Sequence, residues 1–183
     1  MKIARITLLE PGAPDRYEAE NEKFISKVFE EPTQFIRHVV TNADELKAAL
    51  LRSCDVEQCP LVLTLGGNAA APRDIAPETT LAILDKELPG FGQVMRHYSY
   101  EKLPIAILSR AVAGIRGKSL IINLPGRPKA IWACLKMLRP AIAEGLEQIT
   151  GLRPELHVDP IELPIDKYLP FLKKIRPKPP LEY

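Results

Sequence analysis

The tightest constraint on how this chain folds is an apolar run, Leu61-Val62-Leu63-Thr64-Leu65, that stops at Gly66-Gly67. A small-residue loop follows, then Arg73-Asp74, and Pro77-Glu78 open a predicted helix. A buried strand that ends in paired glycines and returns as a helix is how α/β proteins turn backbone N–H groups toward an anion. Small residues let the backbone approach a ligand closely. Arg73 adds a fork that pairs phosphate, and Asp74 adds a hard oxygen ligand for a cation. The segment points to nucleotide or phosphate chemistry, with a plain tight turn and a surface Arg-Asp ion pair as the alternative. No Gly-Lys-Ser/Thr follows, so it is not a Walker loop, and no third glycine completes a dinucleotide fingerprint.

The rest of the chain alternates strand and helix patterns. Lys2–Leu9 reads as a strand broken by Pro11-Gly12, and Asp15–Glu30 as an amphipathic helix. Phe35–Val40 is a second strand. Asn42, with Glu45 three residues on, resembles a capping box opening a helix over Ala43–Arg52. Pro60–Leu65 is the third strand. Pro77–Glu87 reads as a helix, Pro89–Gly92 as a turn, Gln93–Tyr100 as a helix, and Ile105–Ala113 and Ser119–Asn123 as extended. Pro125–Pro128 is a rigid turn into a long helix near Lys129–Thr150, which Pro140 should kink and Gly151 should end. This alternation predicts an α/β fold, a three-layer α/β/α sandwich with a mostly parallel central sheet. At 183 residues the chain suits one such domain, over residues 1–152. Seven of the 18 prolines lie after Leu152, which excludes a continuous helix or central strand there. Residues 153–183 are expected to run extended, as a tail docked on the domain.

Composition narrows the function classes. A net charge of +2 with no basic, aromatic-interleaved stripe argues against nucleic-acid recognition. No apolar run reaches membrane-spanning length, and Arg5 interrupts the apolar start where a signal peptide would need continuity. Cys54, Cys59 and Cys134 are an odd set without metal-ligand spacing, and His38, His97 and His157 are scattered. Reduced, buried thiols in a cytoplasmic protein are the expectation.

Read in order, the segments resemble the molybdopterin adenylyltransferase family, which includes the bacterial enzyme, the plant G domain and the G domain of gephyrin. The resemblance rests on Gly66-Gly67, Arg73-Asp74, Pro77-Glu78, Pro89–Gly92, Ser109–Ala111, Gly114–Gly117 and Leu120–Lys129, at matching separations from Leu61 to Gly151. It implies the α/β/α sandwich, a homotrimer, and use of Mg²⁺ and ATP to adenylylate the terminal phosphate of molybdopterin. It further implies hand-over to a molybdate-insertion protein. By that resemblance Asp74 is catalytic and binds the magnesium. Gly66, Gly67, Asn68, Ala69, Arg73, Ser109, Pro125, Gly126 and Pro128 are implied to contact substrate or nucleotide. Arg73 pairs either with Asp74 or with another carboxylate.

Three positions depart from the family pattern. Its Gly-Gly-Thr-Gly loop here reads Gly66-Gly67-Asn68-Ala69, and a positive φ at Ala69 would cost about 1–2 kcal/mol. Asn42 stands after the second strand where the family has a carboxylate that handles metal and phosphate, so the resemblance implies Asn42 as a further catalytic residue, with Asp44 as the substitute if the junction is shifted. The first strand ends Leu9-Glu10-Pro11-Gly12 instead of Ser-Asp-Arg. All three lie in site loops, which leaves a second expectation open: a non-catalytic pterin-binding or scaffold relative, a use gephyrin exemplifies within the family.

Overall fold

A computed structural model describes residues 1–29 and 33–155 of the chain. Six strands form one sheet: β1 Lys2–Leu8, β2 Gln34–Val40, β3 Leu61–Leu65, β4 Lys86–Glu87, β5 Ala113–Arg116 and β6 Ser119–Leu124. The strand order is β2-β1-β3-β6-β5-β4. The first four in that order run parallel, while β5 and β4 pair antiparallel at the edge. β3 and β6 are buried at every position, as expected where helices cover both faces of a parallel sheet.

The helices are α1 Glu18–Ser26, α2 Ala43–Leu51, α3 Ala76–Leu81, α4 Pro89–Tyr100 and α5 Pro128–Thr150. Two cores follow from strand alternation. Ile3, Leu61, Leu63, Leu120 and Ile122 point to one face, against Ile25 of α1 and Ile131, Leu135 and Ile142 of α5. Ala4, Ile6, Val62 and Ile121 point to the other, against Leu46 and Leu50 of α2 and Ala76 of α3. The predicted three-layer sandwich is the observed fold.

Arg5 is fully buried on β1, an unusual place for a charge. Its Nη1 donates to the carbonyl of Glu18 at 2.9 Å, and its guanidinium lies 3.5 Å from the Glu18 carboxylate. Arg37 on β2 pairs with both Glu18 and Glu22. Together they fix α1 against β1. The ring of Phe24 stacks on Trp132 at 5.7 Å and ties α1 to α5.

Several boundaries differ from the sequence expectation. Of the helix predicted over Asp15–Glu30, Glu18–Ser26 is helical among the described residues, and Glu30 lies outside them. The predicted Pro77–Glu87 helix stops at Leu81, because Asp85–Glu87 turns to pair with β5. Asp85 Oδ2 there accepts from the Gly117 amide at 2.7 Å. Pro89–Gly92 is the first turn of α4, not a separate turn. Ile105–Ala113 is not extended throughout: Pro104–Leu108 is a 3₁₀ turn closed by Ser109 N–H to Ala106 O at 3.0 Å, and the strand begins at Ala113. No sheet position takes this apolar segment, and Ile105, Ile107 and Leu108 stay exposed.

α5 continues through Pro140. A proline removes the bond to the carbonyl four residues back, here Lys136. Arg139 Nε donates to that carbonyl at 3.4 Å and supplies the missing donor. Gly151 ends the helix as expected, at φ 76°. The docked tail expected over residues 153–183 lies, from residue 156 on, outside the described residues. No helix among the described residues is long and apolar enough to cross a membrane.

Candidate active site

The chain leaves β1 to form β2 on one side and then β3 on the other. That reversal opens a crevice at the carboxyl ends of the parallel strands, where ligands bind open α/β sheets. The loops after β1, β3 and β6 meet there. A larger cavity, about 890 Å³, opens at the opposite ends of the strands beside Lys2, Pro60 and Ser119. It receives none of the residues implied to be catalytic or to contact substrate or nucleotide.

Gly66 and Gly67 shape the crevice. Both adopt left-handed backbone, φ 88° and 67°. The Gly66 amide donates to Leu124 O at 3.0 Å, continuing the β3–β6 ladder past its end. A Cβ on Gly67 would sit 2.0 Å from Leu8 Cδ2, and one on Gly126 3.4 Å from the Gly66 Cα. The loops after β1, β3 and β6 therefore pack closely here, and the steric limit is tightest at Gly67 against Leu8. The positive φ of this loop falls on Gly66 and Gly67 and not on Ala69, so Ala69 carries no such strain.

Asn68 is 7% exposed and turned inward. Its Nδ2 donates to Leu124 O at 2.6 Å, anchoring the loop to the end of β6. Arg110 clasps the same loop from outside. Its backbone N–H donates to Asn68 O at 2.7 Å and its Nε to Ala69 O at 2.6 Å. Its other nitrogens reach Asp74 O and the Glu78 carboxylate. From below, buried Asn123 donates to Thr64 Oγ1 at 2.8 Å and Thr80 Oγ1 at 2.9 Å, joining β6, β3 and α3. Neither Arg110 nor Asn123 was assigned these bonds from sequence, because each partner lies more than 30 residues away.

Asp74 stands on this braced loop and lines a cavity of about 440 Å³ with Leu8, Glu10, Thr41, Gly67 and Arg73. One carboxylate oxygen accepts from the Ala71 amide at 2.9 Å. Arg73 pairs with Glu10 across the cavity, which resolves its alternatives: the partner is another carboxylate and not Asp74. Glu10 is the residue sequence reasoning missed. It occupies the altered end of β1 and brings a carboxylate to the cavity that holds Asp74. The signal was its position, directly after the strand.

Asn42 is the N-cap of α2, its Oδ1 accepting from the Glu45 amide at 3.0 Å. Glu45 reaches back to the Thr41 amide at 2.7 Å and hydroxyl at 3.0 Å. The backbone bond to Thr41, then the hydroxyl bond, hold the Glu45 carboxyl below its ordinary range. Asn42 and Asp44 therefore sit beside the cavity through Thr41 without lining it. Asp44 is exposed in the first turn of α2. Ser109 closes the 3₁₀ turn, its Oγ 3.4 Å from the Ala111 amide. Pro125 and Gly126 cross the crevice into α5, whose first residue is Pro128.

The donor set fits magnesium. No group of three His, Cys, Asp or Glu converges among the described residues, which disfavours an all-protein cage. Magnesium needs only one or two carboxylates when substrate phosphates complete its shell. Asp74 and Glu10 line one cavity and are the carboxylates that could meet that need. Burial raises the thiols of Cys54, Cys59 and Cys134 to about 11, so they are protonated at neutral pH and no thiolate serves the site.

A family described as "Probable molybdopterin binding domain" matches residues 7–144, spanning β1 to most of α5. The chain belongs to that molybdopterin-binding domain family. Its relatives include the molybdopterin adenylyltransferase of Helicobacter pylori, 46% identical over 140 residues, 74% of this chain and 80% of the relative. The molybdopterin adenylyltransferase of Escherichia coli is 45% identical over 107 residues, 58% of this chain and 54% of the relative. Among solved structures, the molybdopterin biosynthesis enzyme MoaB from Thermus thermophilus superimposes with a TM-score of 0.73 at 32% identity. That match covers 83% of this chain and 98% of the other. The molybdopterin biosynthesis Mog protein from Mycobacterium ulcerans gives 0.74 at 28% identity, covering 82% and 97%. The family match takes in the loops after β1, β3 and β6 together, so the crevice lies wholly within the family's domain.

Proposed function

We infer that this chain is a molybdopterin adenylyltransferase acting in molybdenum cofactor biosynthesis. The observation that carries the reading is the cavity holding Asp74 and Glu10 at the switch point of a molybdopterin-binding domain. In the reaction, a terminal phosphate oxygen of molybdopterin attacks the α-phosphorus of ATP. The bond from that phosphorus to the bridging oxygen breaks, and pyrophosphate leaves with the electron pair.

The protein's work in such a transfer is positioning and charge stabilisation. Gly66 and Gly67 let phosphate oxygens approach the loop backbone. Asp74 and Glu10 would hold the magnesium, which when bound offsets charge on the phosphates. Arg73, steered by Glu10, pairs with phosphate as the polyanion enters. Asn68 acts through the loop it anchors, and Ala69 through the carbonyl that Arg110 binds. Asn42 and Asp44 border the entrance. Ser109, Pro125, Gly126 and Pro128 frame the far side.

Self-association belongs to the same reading. Val94, Tyr100, Leu103, Ile105, Ile107 and Leu108 form an exposed apolar strip along α4 and the 3₁₀ turn. Patches of that kind mark interaction sites. A closed homotrimer would bury it, and a molybdate-insertion protein would take the product. Three buried, reduced thiols suit the cytoplasm.

The deciding experiment is pyrophosphate release from ATP with Mg²⁺ and molybdopterin present. Turnover that needs all three supports the transferase. Molybdopterin binding without turnover would favour the non-catalytic relative instead. The use of Asn42 as a helix cap, where the family pattern has a carboxylate, is the one observation on that side.

A further inference from the structure

The cavity of about 890 Å³ lies at the end of the sheet opposite the crevice, where β1 and β6 begin and α5 ends. Cys54, Pro60, Leu146 and Leu152 give it apolar walls, and Lys2, Lys118 and Arg153 stand beside them as cations. Leu152 is 76% exposed, so most of its apolar surface has no cover among the described residues. The lining carboxylate, Asp55, is held by Arg116, Nε to Oδ1 at 3.0 Å and Nη2 to Oδ2 at 2.8 Å. Arg153 is paired with Glu144 and Glu147. Lys2 donates one N–H to the Glu57 carbonyl at 3.0 Å and keeps two more. Lys118 is exposed and has no carboxylate partner among the described residues. The cavity therefore joins apolar walls to uncompensated positive charge.

The chain itself carries a segment of matching chemistry. Pro154 lines the cavity, and residue 156 onward continues the chain from there. By the length of an extended chain, Val158 lies within about 14 Å of Pro154 and Leu163 within about 32 Å. The sequence alternates over this reach. Leu156 and Val158 fall between Glu155, His157 and Asp159. After Pro160, Ile161, Leu163 and Ile165 fall between Glu162, Pro164 and Asp166. In an extended chain that spacing puts apolar side chains on one face and acids on the other. Charge is segregated as well. Glu155, Asp159, Glu162 and Asp166 come first, and Lys167, Lys173, Lys174, Arg176 and Lys178 all follow. The stretch within reach of the cavity is thus the one whose charge opposes Lys2 and Lys118.

We propose that this cavity is the docking site for residues 156–166 of the same chain. Leu156, Val158 and Ile161 pack against the apolar walls and cover Leu152, while Asp159 and Glu162 pair with Lys118 and Lys2. The basic half of the tail, from Lys167, lies beyond the contact. The short link from Pro154 holds this segment at a high effective concentration beside the cavity, which favours it over the same segment of a second copy. Docking at this end of the sheet does not depend on the transferase reading, whose residues lie at the other end.

Two measurements on the full chain test this. Carbodiimide crosslinking read by mass spectrometry should join Lys118 or Lys2 to Asp159 or Glu162. Isotope-labelled and unlabelled chains, denatured and refolded together, tell one chain's tail from another's. Crosslinks within a single isotope are expected. Mixed-isotope crosslinks would seat the tail of a second copy in the cavity and overturn the proposal, as would their absence from the native chain. The second measurement is the rate of cleavage after Glu162 by a glutamate-specific protease. Val158→Asp charges the apolar face of the tail and leaves every described residue in place, so circular dichroism should not change. Cleavage should become at least about tenfold faster and the crosslinks should disappear. Lys118→Ala should speed cleavage about two- to fivefold, the worth of one exposed ion pair, and Lys129→Ala, at the crevice end, should not. Equal cleavage rates for the native chain and Val158→Asp would overturn the docking, and equal acceleration by the two lysine variants would overturn the pairing with Lys118.

Discussion

Replacing Gly67 by alanine should separate backbone strain from steric blockage in the crevice. At φ 67° an L-residue loses about 1–2 kcal/mol. The new Cβ also falls 2.0 Å from Leu8 Cδ2, so the leucine must change rotamer, an overpacking penalty of about 1–3 kcal/mol. The sum, about 2–5 kcal/mol, corresponds to a fall of about 4–20 °C in melting temperature for a chain of this size. Gly66→Ala is the control. Its φ is 88°, but the nearest atom to its Cβ is Leu8 O at 3.4 Å, an ordinary contact. It should show the strain alone, about 1–2 kcal/mol. Leu8→Ala in the Gly67→Ala background should remove the collision, so the double variant recovers part of the loss attributable to it. Leu8 lines the cavity that holds Asp74, and turnover should fall further in Gly67→Ala than in Gly66→Ala. Thermal denaturation and pyrophosphate release on the four proteins are the assays. Equal melting temperatures for the Gly66 and Gly67 variants, with no rescue by Leu8→Ala, would refute the packing described at this loop.

Asp74→Asn preserves shape and the Ala71 contact but removes the charge a hard cation prefers. Turnover should drop by at least about tenfold with the fold retained, and circular dichroism beside the pyrophosphate assay checks both. The three thiols make stability pH-dependent in a stated direction. Their folded values of about 11 exceed the ordinary thiol value of 9.0, so the unfolded chain ionises first. The stability they contribute is complete below about pH 9 and is lost as pH rises toward about 11. Urea midpoints measured from pH 7 to 10.5 should decline over that window, and a smaller decline is expected for Cys134→Ala. Light scattering should give about three times the 20.4 kDa chain mass, and charging the apolar strip with Ile107→Glu should shift the particle to monomer.

The strand-loop-helix order, the parallel core and the site loop from Gly66 to Asp74 were legible in the residues. Each is a local pattern: an apolar run, a glycine pair, a proline at a helix start. The Asn42–Glu45 cap was legible for the same reason, since its two partners lie three residues apart. The 3₁₀ turn over Pro104–Leu108 was not legible, because a short apolar run carries no mark of whether a sheet position awaits it.

Other features came only from tertiary contact. Arg110 clasps Asn68, Ala69 and Asp74 from some 40 positions away. Glu10 meets Arg73 across 63 residues. Lys2, Lys118 and Leu152 line one cavity only because β1, the β5–β6 turn and the end of α5 meet at one end of the sheet. Asn68 shows the division most clearly. Sequence placed it in the binding loop, but the fold turned its amide inward to Leu124 O. Local preference decides which element a residue joins, because the interactions that select it span a few residues. Which way a side chain points, and what it meets, depends on how distant strands register against one another, and that is settled only when the sheet closes.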